Sequence, residues 1–301
     1  MKAVVILGPT AAGKSEIALN VAGNFFEIVS ADSVQVYKFL NIGSGKPDKE
    51  DLKKVTHHLI DVVEPDYNFS AGDFVDLANK ACEIIRNKDK LPLFAGGTGL
   101  YIDAFFKGLS HIPQIDKAIR DNLALEIAEK GSAVLYNELK RIDPDFAKKV
   151  HPNDTQRIMR GIQVFRGTGR NLSSYYNDMK GAESDNTLYI GIYPGKSELH
   201  KRIASRVDNM LKRGFVDEVF QLRSNGYKPQ LASMKTIGYA EINSYLDDLI
   251  TYSDAVEKIK KSTKKYAKKQ ITWFQRNKKI MWFKPEDLKK ITHYIKKWLN
   301  Y

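Results

Sequence analysis

Short runs of hydrophobic residues, each bounded by turn-forming residues, recur along the chain at residues 3–7, 26–30, 91–95 and 188–192. The segments between these runs are long enough to hold crossover helices. Alternation of this kind is typical of a parallel sheet with helices on both of its faces. The sequence therefore predicts an α/β fold built on a doubly wound parallel sheet.

The strand pattern is absent between residues 116 and 185, where helical periodicity replaces it. Apolar residues recur there at steps of three and four, beginning with Ile119 and Leu123, and this spacing places them on one face of a helix. We expect residues 116–185 to form an all-helical insertion in the α/β core. The catalytic core would then consist of residues 1–115 and 186–301.

The chain then returns to the core through a segment at residues 167–186 that is rich in Gly, Ser and Asn, which predicts a flexible path. After the strand at 188–192, hydrophobic periodicity predicts helices over residues 198–224, 234–245 and 253–273. A short strand at residues 280–283 and a final helix complete the prediction.

The first hydrophobic run leads into a loop with phosphate-binding spacing, and a helical pattern begins directly after it. The loop consists of Gly8, Pro9, Thr10, Ala11, Ala12, Gly13, Lys14 and Ser15. Its glycines let backbone N–H groups point inwards, the helix N-terminus adds positive potential, and Lys14 supplies a full charge. The motif predicts a ligand that carries a pyrophosphate, without specifying a reaction.

The second strand is followed by Asp32, which should lie at the same sheet edge as the phosphate loop. A carboxylate there can ligate a metal, cap the next helix or accept a proton. Gln35 lies three residues on, and glutamine matches the donor and acceptor edge of adenine. Together, Asp32 and Gln35 suggest a purine held beside a carboxylate.

The third strand ends in Gly96, Gly97, Thr98 and Gly99, with no acidic residue among them. Nucleotide kinases and ATPases of this fold usually carry an acidic Mg²⁺ ligand at the end of a core strand. Its absence counts against a plain ATPase, and the small residues leave room for a ligand to approach the backbone.

Positive charge is concentrated at one end of the chain. Residues 254–301 carry 15 Lys and Arg against 4 Asp and Glu, within a net charge of +12. This excess favours a polyanionic partner, although a solvated lysine-rich helix remains the alternative. No hydrophobic stretch approaches the length of about 18 residues that spans a bilayer. We therefore expect a cytoplasmic protein with no membrane partner. A monomer is also expected.

Five motifs occur in a characteristic order. They are the eight-residue loop, Asp32-Ser33-Val34-Gln35-Val36-Tyr37, Gly96-Gly97-Thr98-Gly99-Leu100-Tyr101, Asn153-Asp154-Thr155-Gln156-Arg157-Ile158 and Lys269-Gln270-Ile271-Thr272-Trp273-Phe274. Because these motifs occur in the order seen in the tRNA dimethylallyltransferases, also called tRNA isopentenyltransferases, the chain resembles that family. The resemblance extends from residue 3 to about residue 276. No Cys/His zinc finger follows, so the resemblance is to the short bacterial form.

The resemblance implies transfer of a dimethylallyl group from dimethylallyl diphosphate to the exocyclic amine of the adenosine immediately 3′ of the tRNA anticodon. It also implies Mg²⁺ as cofactor, with Ser15 facing the metal. The phosphate loop would then hold the diphosphate leaving group rather than ATP. The residues expected to bind the donor are Gly8, Thr10, Ala11, Ala12, Gly13, Lys14, Ser15 and Arg206.

The chemistry assigns roles to individual side chains. An aromatic exocyclic amine is a poor nucleophile, so a nearby carboxylate must take its proton, and we expect Asp32 to be this general base. Lys14, Mg²⁺ on Ser15 and an arginine would stabilise the charge that develops on the diphosphate. Arg202 and Arg206 are the candidate arginines, and Arg202 is the first choice by resemblance.

The acceptor base must be splayed out of the anticodon loop before it can react. By resemblance, the segment around Gln156 contacts the anticodon stem-loop, as do Thr98 and Arg120. Lysines at steps of three and four after residue 253 form a stripe suited to RNA phosphates, whereas Tyr266 and Trp273 are expected in the core. The predicted tRNA-binding residues are Asp32, Ser33, Val34, Gln35, Thr98, Arg120, Gln156, Arg157, Ile158, Met159, Arg160, Lys264 and Lys268.

Three other functions compete with this interpretation. An adenylate isopentenyltransferase performs the same chemistry on free AMP, ADP or ATP, but needs neither a helical insertion nor a basic end. A P-loop kinase of a small molecule should show a lid and an acidic metal ligand after a strand. A non-catalytic RNA-binding module would leave Asp32 beside the phosphate loop without a purpose.

Overall fold

The computed structural model describes residues 1–110, 112–113, 115–177 and 186–300. Six strands in these residues form one sheet in the order β3-β2-β4-β1-β5-β6, and every neighbouring pair is parallel. The strands are β1 (Ala3–Leu7), β2 (Phe26–Ala31), β3 (His57–His58), β4 (Leu91–Gly96), β5 (Thr187–Ile192) and β6 (Met281–Phe283).

Helices supply the connections between the strands. They are α1 (Lys14–Ala22), α2 (Lys49–Lys54), α3 (Ala71–Arg86), α4 (Gly99–Lys107), α5 (Lys117–Lys130), α6 (Ser132–Ile142), α7 (Pro144–Ala147), α8 (Thr155–Thr168), α9 (Leu172–Asn177), α10 (Lys196–Lys212), α11 (Phe215–Ser224), α12 (Tyr239–Leu246), α13 (Tyr252–Phe274) and α14 (Leu288–Leu299). Two short 3₁₀ helices cover Ser233–Lys235 and Pro285–Asp287. Among the described residues, no helix combines the length and the hydropathy of a membrane span.

β1 lies at the centre of the sheet, where Val5 pairs with Phe94 of β4 on one side and with Tyr189 of β5 on the other. Because all strands run in the same direction, their carboxyl ends meet at one edge. The loops that follow β1, β2 and β4 therefore emerge side by side, and these are the loops that carry the predicted site motifs.

One face of the sheet is covered by the first and the last helix of the chain. Ile17 and Ala18 of α1 and Ile291 and Ile295 of α14 pack on buried strand residues such as Ile190. A second apolar cluster joins the segment after β2 to α10, α11, α12 and α13, with Tyr37, Val207, Phe215, Tyr239 and Ile259 among its buried members. This second cluster fixes the helices that border the site loops.

The predicted doubly wound parallel sheet is confirmed, with differences in single elements. The predicted helix over 198–224 is two helices, because Gly214 adopts a left-handed φ of 88° between α10 and α11. The predicted helix over 234–245 likewise begins as α12 only after Gly238, whose φ is 95°. β3 lies outside the prediction, since two histidines in an edge strand leave no hydrophobic run.

The described residues form two compact units, one of residues 1–105 and 186–300 and the other of residues from 106 to 177. The smaller unit is all helical, and its core contains Leu123, Leu135, Leu139, Phe146, Ile158 and Ile162. Part of the predicted return path is helical as α9, whereas residues 178–185 lie outside the described residues.

Three helices of this smaller unit are joined by one arginine. Arg166 of α8 forms ion pairs with Glu126 of α5 at 2.6 Å and with Glu138 of α6 at 2.9 Å. The two carboxylates raise the pKa of Arg166 above its usual value. Charge-assisted bonds to two helices at once hold the packing of α5, α6 and α8 in one arrangement.

Candidate active site

The loop between β1 and α1 follows a path that requires small residues. A Cβ atom on Gly8 would collide with the carbonyl oxygen of Ile192 in β5, and Ala11 has a left-handed φ of 62°. Gly13 is the N-cap of α1 and brings no side chain to the first N–H groups of the helix. These N–H groups are therefore available to an anion, as in a phosphate-binding loop.

Lys14, the first residue of α1, turns its ammonium group back over the loop. Its Nζ donates a hydrogen bond to the carbonyl oxygen of Pro9 at 2.7 Å. Burial lowers the pKa of Lys14 to about 8, an effect that the Asp32 carboxylate opposes and the Arg206 guanidinium reinforces. The lysine charge is thus held among protein groups, where its attraction for a phosphate is weakly screened.

Arg206 of α10 lies deeper in the site than Arg202. Its Nη2 donates to the carbonyl oxygen of Ser44 at 3.2 Å, and its guanidinium occupies the space that a side chain at position 45 would need. Burial lowers the pKa of Arg206, while Asp32 acts in the opposite direction. Arg206 therefore lies close to both Lys14 and Asp32.

Arg202, one turn earlier on α10, lies beside Gly13 of the phosphate loop. Its Nη1 is 3.6 Å from the position that a Cβ on Gly13 would take, and its Nε donates to Glu198 Oε1 at 2.9 Å. Both predicted arginines thus approach the site from α10, Arg202 near Gly13 at the end of the loop and Arg206 near the Asp32 carboxylate.

Asp32 follows β2 and closes a tight turn with its own side chain. Its Oδ1 accepts hydrogen bonds from the backbone N–H groups of Val34 at 2.9 Å and Gln35 at 3.3 Å. Oδ2 accepts no hydrogen bond from any residue that the structure describes. One oxygen thus holds the carboxylate in place while the other remains available to a proton donor.

The turn that follows Asp32 is held by side chains from two other segments. The Ser33 N–H donates to Thr98 Oγ1 at 3.0 Å. Gln35 accepts a bond from Ser30 Oγ at 2.9 Å and donates through Nε2 to the Gly45 carbonyl at 3.1 Å. The Gln35 amide would therefore have to exchange these bonds before it could bind an adenine edge, and its structural role was not foreseen from the sequence.

Sequence reasoning missed Gln270, which lies on the inner face of α13 and is only 6% exposed. Its Oε1 accepts the backbone N–H of Thr10 in the phosphate loop at 2.8 Å. Its Nε2 donates to the carbonyl oxygen of Gly97 at 2.8 Å. A single side chain therefore joins the loop after β1 to the loop after β4.

Tyr266, one turn earlier, is also part of the site, although the sequence placed it in the core. Its hydroxyl group lies near the side chains of Thr98 and Gln270, and burial together with the Asp32 charge raises the pKa of Tyr266 to about 12. The hydroxyl therefore keeps its proton at neutral pH. Trp273 is tied instead to Asp103, whose Oδ2 accepts its Nε1–H at 2.8 Å.

A signal for Gln270 was present in the helical pattern. The buried face of α13 runs through Ala255, Ile259, Ala267 and Phe274, and position 270 lies on that same face. A glutamine among apolar residues requires buried hydrogen-bond partners. Which groups provide them depends on contacts with loops more than 170 residues away in the chain.

The opposite face of α13 carries the predicted lysine stripe. Lys261, Lys265 and Lys268 are exposed, and Lys264 is partly buried. In the described part of the chain, none of these four forms an ion pair, whereas Lys260 pairs with Asp208 at 2.6 Å. The stripe therefore presents four positive charges that no described carboxylate neutralises.

The remaining predicted tRNA-binding residues belong to the helical unit. Arg120, Gln156, Arg157 and Arg160 are exposed, and Met159 is partly buried. Although the Arg160 side chain is exposed as a whole, partial desolvation of its guanidinium and the charge of Arg120 lower the pKa of Arg160, so these two arginines lie near each other. The Ile158 side chain is fully buried in the core of the unit, so a contact with tRNA at this position would have to be made by its backbone.

The phosphate loop, the adjacent carboxylate and the parallel sheet together define a P-loop-type α/β transferase. A protein-family model described as IPP transferase matches residues 35–277. The chain therefore belongs to the IPP transferase family. The resemblance to this family, which was inferred from five sequence motifs, is thereby confirmed.

Several relatives share this assignment. "tRNA dimethylallyltransferase 2" of Geotalea uraniireducens is 42% identical over 98% of this chain and 96% of its own length. The tRNA dimethylallyltransferase of Thermoanaerobacter sp. is 41% identical over 99% of this chain and 96% of its own. These matches confirm the predicted enzyme class, a tRNA dimethylallyltransferase, over an adenylate isopentenyltransferase or a small-molecule kinase.

Solved structures agree with this result. The full-length tRNA isopentenylpyrophosphate transferase of Bacillus halodurans has a TM-score of 0.73 and 33% identity, covering 99% of this chain and 97% of its own. A eukaryotic dimethylallyltransferase acting on tRNA has a TM-score of 0.80 and 29% identity over 96% of this chain and 75% of its own. The predicted fold class is confirmed by both.

Proposed function

We propose that this protein transfers the dimethylallyl group of dimethylallyl diphosphate to the exocyclic amine of the adenosine immediately 3′ of a tRNA anticodon. The observation that carries the proposal is the position of the Asp32 carboxylate beside the phosphate loop, close enough to affect the pKa of both Lys14 and Arg206. The reaction needs a base for the nucleophile and cations for the leaving group in one place.

The bond changes can be assigned to groups of the site. The amine nitrogen forms a bond to C1 of the dimethylallyl group while the bond from C1 to the diphosphate oxygen breaks. The diphosphate leaves with the electron pair of that bond, and Lys14, Arg206 and the N–H groups at the start of α1 stabilise its new charge. The amine proton passes to the free Oδ2 of Asp32.

Mg²⁺ is the proposed cofactor, with Ser15 as the residue whose hydroxyl group would hold it. Ser15 is exposed in the first turn of α1, and among the described residues no three His, Cys, Asp or Glu side chains form a metal cage. This sparse donor set fits an ion that is held mainly by substrate phosphates and water. Bound there, the ion would add positive charge beside the diphosphate oxygens.

The proposed macromolecular substrate is the anticodon stem-loop of tRNA. The lysine stripe of α13 offers contacts to phosphates, which provide affinity without reading sequence. Arg120, Gln156, Arg157 and Arg160 of the helical unit are proposed as further contacts. Ser33, Val34, Gln35 and Thr98 surround the carboxylate and are proposed to contact the splayed acceptor nucleotide.

Replacing Lys261, Lys264, Lys265 and Lys268 by alanine should weaken tRNA binding and flatten its dependence on salt. Each lost phosphate contact should reduce the slope of log K against log salt by up to about 0.7–0.9. The turnover of fully bound tRNA should change little, since these lysines do not touch the reacting atoms. The measurement is tRNA affinity across a series of salt concentrations.

A control variant removes the same charge from exposed lysines elsewhere, namely Lys49, Lys53, Lys54 and Lys80. Circular dichroism would verify that both variants are folded. If the slopes of the two variants fall equally, net charge alone explains the effect. An unchanged slope in the α13 variant would assign the binding of phosphates to the helical unit instead.

The function itself is tested with radiolabelled dimethylallyl diphosphate and three acceptors: an anticodon stem-loop, the same stem-loop with guanosine 3′ of the anticodon, and AMP. We expect label only in the first acceptor, at the adenosine identified after nuclease digestion. Label in AMP alone would support a free adenylate as the acceptor. Equal labelling of both stem-loops would contradict the proposed position of the acceptor.

A further inference from the structure

The Gln270 amide lies between two loops that serve different substrates. One of its ends meets the phosphate loop at Thr10, and the other meets the loop of Thr98 at Gly97. Both hydrogen bonds are 2.8 Å long, and the side chain is 6% exposed. Little solvent can therefore replace either bond.

On the donor side, Gln270 fixes one peptide plane. The carbonyl of Pro9 and the N–H of Thr10 belong to the same planar peptide unit, in which they point in opposite directions. The carbonyl accepts the Lys14 ammonium at 2.7 Å, and the N–H donates to Gln270. Rotation of this plane would break both bonds, so Gln270 controls where the Lys14 ammonium rests.

On the acceptor side, Gln270 fixes a second peptide plane. The Gly97 carbonyl accepts its Nε2–H, while the Thr98 N–H of the same peptide donates to the Ala31 carbonyl at 3.1 Å. The Thr98 hydroxyl then accepts the Ser33 N–H at 3.0 Å. The position of the turn beside Asp32 therefore depends on the orientation of this peptide.

A glutamine is well suited to this place, because one neighbour is a donor and the other an acceptor. The amide oxygen accepts the Thr10 N–H and cannot donate, and the amide nitrogen donates to the Gly97 carbonyl and cannot accept. A side chain at position 97 would collide with the Gln270 amide nitrogen.

We propose that Gln270 is a positioning residue that sets the donor loop and the acceptor loop at the separation and orientation required for transfer. It acts through the peptide planes at Pro9–Thr10 and Gly97–Thr98 and does not touch the reacting atoms. This inference rests on the proposed function, since it assigns the two loops to the two substrates of that reaction.

The test compares Gln270→Leu and Gln270→Glu with the same substitutions at Gln275, an exposed residue at the end of α13. Gln270→Leu keeps the volume and loses both hydrogen bonds. We expect its kcat for prenylation to fall at least about tenfold, because small misplacements of reacting groups have large effects on rate. The Kd for tRNA should remain within about twofold of the wild-type value, since the lysine stripe is intact.

The Gln270→Glu variant should show a pH dependence of kcat that a role in packing alone would not produce. A protonated carboxyl group can donate its O–H to Gly97 and accept the Thr10 N–H, whereas the ionised form cannot donate. Burial should favour the protonated form. We therefore expect the ratio of variant to wild-type kcat to rise as the pH is lowered from about 9 to about 6, where protonation increases.

Each outcome decides between the alternatives. A folded Gln270→Leu variant with wild-type kcat, or a Gln270→Glu ratio that does not change with pH, would overturn the positioning role. Should Gln270→Leu not fold, the pH dependence of Gln270→Glu decides alone. Failure of the proposed function would differ, because wild-type protein and both Gln275 variants would then also transfer no label to the stem-loop.

Discussion

An Asp32→Asn variant should bind tRNA normally and yet transfer the dimethylallyl group roughly 10²-fold more slowly or worse. Asparagine keeps an oxygen that can accept the Val34 and Gln35 N–H groups, so the turn should retain its shape. The variant lacks only the carboxylate that can accept the amine proton. Single-turnover transfer with saturating tRNA and donor measures this step directly.

The matched control is Asp66→Asn, which removes an exposed carboxylate after β3. It should leave the single-turnover rate within about twofold of wild type, as surface substitutions usually do. A near-normal rate for Asp32→Asn would exclude this carboxylate as the base. A loss of tRNA affinity in that variant would instead assign it to acceptor binding.

Replacing Lys14 with alanine should weaken use of the donor by about 10²-fold, as expected when a charged group of a buried anion site is lost. The effect should appear in the KM for dimethylallyl diphosphate and in kcat, because the diphosphate gains charge in the transition state. tRNA affinity should stay close to wild type. Isothermal titration calorimetry with the donor and with ATP would show whether the loop prefers the prenyl diphosphate. If ATP binds tightly and saturating ATP does not compete with the donor, the loop is not the donor site.

The affinity of the wild-type protein for the donor should fall as the pH rises through about 8, the value to which burial lowers the pKa of Lys14. The sign follows from the charge: below this pH the ammonium is protonated and attracts the diphosphate, and above it the amine is neutral. The Lys14→Ala variant should lack this decrease. Donor titrations of both proteins between about pH 6.5 and 9.5 test this expectation. If donor affinity falls in the same way with pH in the wild-type protein and in Lys14→Ala, a group other than Lys14 is titrating.

The strands and the site motifs could be predicted because their signals are local. The run at residues 3–7 is followed immediately by the loop that it supports, and β1 has the predicted bounds of Ala3–Leu7. The ends of helices were harder to predict from the sequence. Gly214 breaks a helix through its own backbone conformation, although other glycines, such as Gly161 in α8, are tolerated within one.

Contacts between distant segments were beyond the reach of pattern analysis. Periodicity placed Tyr266 and Trp273 on the side of α13 opposite the lysines, but it could not show that Tyr266 and Gln270 meet loops as well as apolar side chains. The start of the helical unit at residue 106 rather than 116 has a similar cause. Ile112 and Ile115 pack into the core of that unit, and nothing in their local sequence indicates which unit they join.

The two faces of α13 also determine which sequence changes the helix can absorb. Substitutions on its outer face alter only charge, but an insertion or deletion of one residue would turn everything beyond it by about 100°. Such a change between Lys261 and Gln270 would carry the amide away from Thr10 and Gly97 or bring lysines against the loops. We expect the helix to tolerate substitutions along its outer face. Between Lys261 and Gln270, however, we expect it to tolerate neither an insertion nor a deletion.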